Sequence, residues 1–244
     1  MLQWIGEASG NRFLVCIEDG SHSNGSFTLL ERIRNQRAWT FDSGLILVRS
    51  DSHHVWRMHV VEHDGSVSEM CGNGARLAGM VVSLGKKIQI ETAYGCVDVE
   101  SFGSYSRAVM SIPVFEEERT FSLQPGITYC GQHIRVHGEP HIVVNVPNVW
   151  NFPIEHLGLQ VVPQANLTIV SGYGRRIDAR TFERGVNRET QSCGTGACAA
   201  ALVAGSRVTR VAMHNHELLV SCEKDAVVLE GSGSFERTNG ERDF

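Results

Sequence analysis

Two short stretches set a cysteine directly before a glycine-bracketed turn that opens on an apolar run: EMCGNGAR at residues 69–76 and QSCGTGAC at residues 191–198. Gly72 and Gly74 in the first copy, and the glycines at the matching places of the second, let backbone approach closely and tolerate positive φ. Successive N–H groups then turn into one concavity at a helix start, which makes an anion cradle. The residues that follow, about 74–84 and 196–205, are rich in Ala, Leu, Val and Gly on all sides. A helix without a polar face has to be buried. Each is therefore expected inside its own set of strands.

The rest of the chain supplies those strands. Alternating or β-branched runs predict them at 12–18, 44–50, 55–62, 86–93, 96–101 and 107–113, then at 133–137, 141–146, 159–162, 166–170, 216–223 and 226–231. A third helix is expected over 28–39. The charge run and Pro-Gly of VFEEERTFSLQPG, residues 114–126, read as a linker. The chain thus divides into two pseudo-equivalent α/β domains, 1–115 with Cys71 and 116–244 with Cys193. Residues 231–244, with turn chemistry at Asn239-Gly240, either pack back on the first domain or fray.

Composition narrows the function. A formal charge of −5 with no basic run excludes phosphate backbones and anionic membranes as natural partners and leaves small molecules. The longest apolar run, ACAAALVAG, is half a membrane span. The first ten residues lack the regions of a signal peptide, so the cytoplasm is the expected compartment. Seven cysteines at uneven spacings without a C-x-x-C pair argue against a disulfide framework and against a zinc site. Three lysines weigh against a Schiff-base cofactor. No metal and no cofactor are expected, and a homodimer is compatible with this reading.

What remains is acid–base chemistry. A carboxylate in the cradle is held by main-chain donors and the positive end of a helix dipole, and the same donors stabilise extra charge if the bound acid becomes enolate-like. A thiol with an ordinary pKa of about 8.5 is expected to be lowered at such a helix start. Removing a proton from one face of a tetrahedral carbon and returning one to the other face needs two groups of matched strength. Two thiols at two equivalent helix starts across one cleft meet that need, and the duplication then serves inversion of a stereocentre. Three other readings compete: cysteines that are small buried hydrophobes, a Cys71–Cys193 redox pair, and a binding module whose loops hold a carboxylate without reaction. Neither of the last two explains both Gly-x-Gly and both thiols.

At these residues the sequence resembles diaminopimelate epimerase, a cofactor-independent two-cysteine epimerase family. ASGNRF (8–13), DSGLILV (42–48), HDGSVSEMCGNGAR (63–76), GEPH (138–141) and RTFERGVNRETQSCGTGACAAA (180–201) carry the resemblance along most of the chain. Proline racemases share the fold, but their first loop usually has histidine where this chain has Asn73. The resemblance implies two domains, each a curled sheet or barrel around a central helix, with the site in a cleft that closes on an amino acid. It further implies Cys71 and Cys193 as the two bases. The amides of Gly72, Asn73, Gly194 and Thr195 would hold the α-carboxylate, with Asn11, Asn166, Glu183 and Arg184 lining the rest of the pocket and His141 nearby.

The departures fall at the far end of the substrate. Glu62 and Glu139 stand where the family usually has asparagines that recognise the distal amino-acid group. Carboxylates there repel a distal carboxylate and favour a cation, because like charges in a closed site are costly. Arg184 is left to pair with a distal carboxylate or with one of these glutamates. The expectation is racemisation of a free amino acid with a basic side chain, such as histidine, lysine or ornithine. Epimerisation of diaminopimelate with an altered distal pocket is the runner-up. HNHE (214–217) and SHH (52–54) read as solvated loop histidines, and Cys16, Cys96, Cys130, Cys198 and Cys222 as packing.

Overall fold

A computed structural model describes residues 2–18, 40–50, 55–83, 85–124, 127–161 and 164–237. The expected helix at 28–39, the histidines of SHH and the Asn239-Gly240 turn lie outside them.

The first strands are β1 (Leu2–Ala8), β2 (Asn11–Glu18), β3 (Ser43–Arg49), β4 (Val55–Glu62) and the short β5 (Val67–Ser68), followed by α1 (Gly72–Val82). Next come β6 (Ile88–Glu91), β7 (Cys96–Phe102), β8 (Tyr105–Ser111), β9 (Val114–Gln124), β10 (Ile127–Val136) and β11 (Glu139–Asn145). After a 3₁₀ turn at Val149–Asn151 follow α2 (Ile154–Val161), β12 (Asn166–Ser171), β13 (Arg176–Glu183), β14 (Arg188–Glu189) and α3 (Gly194–Ala204). The last strands are β15 (Val208–Met213), β16 (His216–Cys222) and β17 (Ala226–Arg237).

Eight strands close a ring in the order β1, β2, β3, β4, β6, β7, β8, β17 and back to β1. Closure leaves no unpaired edge within it. Helix α1 touches every strand of this ring. A second run pairs β9 through β13 and then β15 to β17, and α3 touches β10 to β13 and β15 to β17 of it. The repeat is visible in the pairing itself. In each half a strand (β4 or β13), a two-residue strand (β5 or β14), a cysteine-led helix and a strand parallel to the first follow one another.

Both buried helices arise as their composition dictates. Every residue of α1 except Val82 is buried, and in α3 only Leu202 and Val203 are partly exposed. The small side chains of α3 let the surrounding strands come close. In α1, Leu77 is fully buried among residues such as Val97, Val99 and Met110, and truncating a leucine so placed costs about 2–5 kcal/mol. Gly205 ends α3 in the left-handed conformation at φ 72°, a usual glycine stop.

Several expectations are corrected. LQVV at 159–162 is not a strand, since Leu159–Val161 close α2, whose Ile154, Leu157 and Val161 recur at helical spacing on its buried side. Four residues are too few to separate period two from period 3.6. The expected linker is strand β9, where Glu116 pairs across the ladder with Arg135 of β10. Strands β1, β13 and β15 were not expected. Cys16 and Cys198 are buried, whereas Cys96 and Cys130 sit on exposed faces of their strands and do not pack. Among the described residues no helix is long and apolar enough to cross a membrane, which says nothing of a β-barrel.

Candidate active site

The two cysteine-led helices start at one place. Cys71 is the N-cap of α1 with φ −136° and ψ 110°, and Cys193 is the N-cap of α3 with φ −134° and ψ 117°. Each sulfur accepts from the amide three residues on, Gly74 N–H at 3.3 Å and Gly196 N–H at 3.4 Å. The helix starts abut. A Cβ on Gly194 would lie 2.9 Å from the Asn73 nitrogen, and one on Gly72 would lie 3.3 Å from the Thr195 nitrogen. At Gly194 the space is occupied by the facing backbone, and at Gly72 a side chain fits only if Leu229 and the facing backbone give by a few tenths of an ångström.

Both cysteines line one cleft. Of the expected residues, Asn11, Glu62, Gly72, Glu139, Asn166, Glu183, Arg184, Gly194 and Thr195 line it as well. Most come from strand ends: Asn11 opens β2, Glu62 closes β4, Glu139 and Asn166 open β11 and β12, and Glu183 closes β13. Asn73 is the exception. Fully buried and outside the lining, its side chain donates to Asn11 Oδ1 at 2.6 Å and to Ser192 Oγ at 2.9 Å.

The carboxylates are arranged unequally. Arg184 donates from Nε to Glu139 Oε1 at 2.9 Å and from Nη2 to Oε2 at 3.1 Å, a bidentate pair. Asn166 reinforces it by donating Nδ2 to Glu139 Oε1 at 3.0 Å while its Oδ1 accepts from the Arg184 amide. Glu62 bonds directly to no cation among the described residues. It accepts from Ser43 Oγ at 2.7 Å and from Ser68 Oγ, and burial, aided by the charges of Glu139 and Asp64, pushes it up to about 7. Glu183 accepts from Thr190 Oγ1 and from Cys193 Sγ, the latter at 3.3 Å. Burial and the neighbouring Glu62 push it up to about 8.

The thiols reverse the expectation. Burial first, then the charges of Glu62 and Glu183 for Cys71 and of Glu183 for Cys193, push both well above the ordinary thiol range. One amide hydrogen bond to each sulfur does not outweigh removal from water. His141, buried and held near 3 chiefly by desolvation, is a neutral imidazole that faces Thr168 Oγ1 at 3.1 Å and Thr195 Oγ1 at 2.9 Å. It fixes the side chain of a cradle residue.

Sequence reasoning missed the hydroxyl partners Ser43, Ser68 and Thr190, although all three lie inside motifs already singled out. It also missed the rim, where Asp42 pairs with Arg188 and Asp64 accepts from Asn187 at 3.2 Å, joining loops of the two halves. His214, read as solvated, instead binds Glu189 Oε1 at 2.6 Å. Among the described residues no group of three or more His, Cys, Asp or Glu is placed to hold a metal ion.

No family model matches the chain. The diaminopimelate epimerase of Aquifex aeolicus is 32% identical over 228 residues, 82% of this chain and 80% of that one. That of Pseudomonas paraeruginosa is 34% identical over 226 residues, 81% and 80% respectively. The enzyme of Methanothrix thermoacetophila is 34% identical over 184 residues, 67% of this chain and 64% of the relative. Among solved structures, a predicted epimerase from Pseudomonas aeruginosa superposes with a TM-score of 0.71 at 15% identity, covering 98% of this chain and 99% of that one. A phenazine biosynthesis protein of the PhzF family from Enterococcus faecalis gives 0.67 at 10% identity, covering 98% and 99%; both likenesses concern the fold alone. With a third of its residues identical to these relatives over most of its length, the chain belongs to the diaminopimelate epimerase family and is an isomerase of the racemase and epimerase class.

Proposed function

We propose that this isomerase inverts the α-carbon of a free amino acid with a basic side chain, using Cys71 and Cys193 as the two bases. The α-carboxylate rests on the amides at the starts of α1 and α3. One sulfur, as thiolate, takes the α-proton. The C–H electron pair passes into the carboxylate as an enediolate, and the other thiol returns its own proton to the opposite face. Each turnover moves one proton between the sulfurs and leaves the opposite one charged, ready for the reverse direction. Burial favours the neutral form of both thiols in the empty cleft; the first thiolate forms when Cys193 passes its proton to ionised Glu183 at Oε2, to which that sulfur already donates at 3.3 Å.

The observation that carries the substrate class is the bidentate Arg184–Glu139 pair. It occupies Arg184, the single cation among the described residues that line the cleft, and no described cation bonds directly to Glu62. A distal carboxylate would find no free guanidinium there, whereas a cationic side chain meets Glu62. Exchange of the α-proton in deuterated water, run over histidine, lysine, ornithine and LL-diaminopimelate, tests this reading. Exchange confined to diaminopimelate overturns it. The second reading, diaminopimelate epimerisation, is favoured by the names of the relatives and requires Arg184 to leave Glu139.

We also read the fold as two domains joined near residue 115, each with its cysteine-led helix at the centre. The contacts of α1 with all eight ring strands support its central place, with β17 packing back on the first domain.

A further inference from the structure

Arg76 is the largest fully buried side chain among the described residues. It lies on α1 one turn below the cradle and makes no ion pair among the described residues. One guanidinium nitrogen, Nη2, donates to Ser9 Oγ at 2.9 Å and Asn73 Oδ1 at 2.8 Å, and Nη1 donates to the Ser232 carbonyl at 3.3 Å. Its Nε has no partner. The groups whose charge acts on it are Tyr105 of β8, Cys71 at the helix start and Cys198 of α3, with no carboxylate among them.

Three costs coincide here. A cation is buried without a counter-ion, it sits near the positive end of a helix dipole, and one of its donors is unsatisfied. No acidic residue in the first turn of α1 offsets them. The duplication sharpens the point, since the residue at the matching place of α3, five positions after its cysteine, is Cys198. Of the two cysteine-led helices, only α1 carries a buried arginine.

We propose that Arg76 is the positioning charge of the reacting-carboxylate subsite. Its hydrogen bonds hold Asn73, and through Asn73 the first turn of α1, Asn11 and Ser192. Its uncompensated charge is balanced when an α-carboxylate binds, and balanced further when the α-proton leaves and a second negative charge develops. The inference rests on the racemase reading above.

Three variants test it. Arg76→Gln keeps hydrogen-bonding capacity and removes the charge; α-proton exchange should fall by roughly 10²-fold in kcat/KM, with kcat falling as well as KM rising. Arg76→Lys restores the charge without the fork and should recover about tenfold of that loss. Ser9→Asp leaves Arg76 in place and gives it an internal counter-ion outside the cleft. It should raise or preserve the unfolding temperature while lowering kcat by roughly tenfold. A merely structural role predicts the opposite pattern: Gln and Lys equally impaired in step with lost stability, and Ser9→Asp as active as wild type. Either result overturns the proposal. If wild type exchanges no α-proton with any amino acid, the racemase reading fails on its own. Acetate then decides the Arg76 inference: it should raise the unfolding temperature of wild type and not of Arg76→Gln, and equal protection refutes it.

Discussion

Cys71 and Cys193 cap their helices with the same backbone conformation and the same sulfur-to-amide bond, on opposite sides of a contact so close that Gly194 has no room for a Cβ beside the Asn73 nitrogen. The equivalence is local and chemical. It gives two thiols the same donor environment although different halves of the chain deliver them.

If both sulfurs carry protons in turn, neither is dispensable. Cys71→Ala and Cys193→Ala should each lower racemisation by roughly 10²–10⁴-fold, measured as conversion of one enantiomer to the other by chiral chromatography. Either variant retaining near-normal inversion would end the two-base scheme.

Substrate choice should follow Arg184. Glu139→Asn frees the guanidinium and should shift the ratio of kcat/KM for diaminopimelate over lysine upward by about tenfold or more, since unpairing a buried charge is costly until a new partner arrives. A ratio that does not move would separate specificity from this pair.

The raised carboxylates make a stability prediction whose sign is fixed. Between the ordinary value of 4.5 and the folded values of about 7 for Glu62 and about 8 for Glu183, the folded protein holds protons that the unfolded chain has released. Stability is therefore fully present below 4.5 and is lost as pH rises through that window, by about 1.4 kcal/mol per pH unit for each group. The two titrate as a coupled set. Urea midpoints should fall from pH ~5 to pH ~8, and Glu183→Gln should flatten the fall. A wild-type midpoint that rises over this range would contradict the burial argument.

Gly194→Ala tests the abutting helix starts. The added Cβ meets the Asn73 nitrogen at 2.9 Å and Leu229 Cδ2 at 2.7 Å, and overpacking of this kind costs about 1–3 kcal/mol. Activity should fall further than stability, because the two cradles separate. Thermal unfolding and exchange kinetics measured on one preparation compare the two.

Much of this was legible in the sequence. The apolar runs after Cys71 and Cys193 gave helices within two residues of where they lie, because a helix without a polar face leaves few alternatives. The misread segments were those whose pattern is short or mixed: LQVV holds one turn of α2, and the charges of β9 suggested a linker until their cross-strand partners were known. The thiol shift was read with the wrong sign, because the dipole is visible in a motif and burial is not. Glu139 was recognised as a departure, but its pairing with Arg184 depends on β11 and β13 ending on the same cleft. Arg76 gave no signal at all: an arginine near a helix start looks like a solvated one until the ring of strands closes over it.

That ring is closed by β17, which runs beside β8, β16 and β1. During synthesis, β1 therefore waits for one flank until almost all the described chain has left the ribosome. Such distant pairing slows folding, and the half-built barrel offers nascent neighbours an open seam.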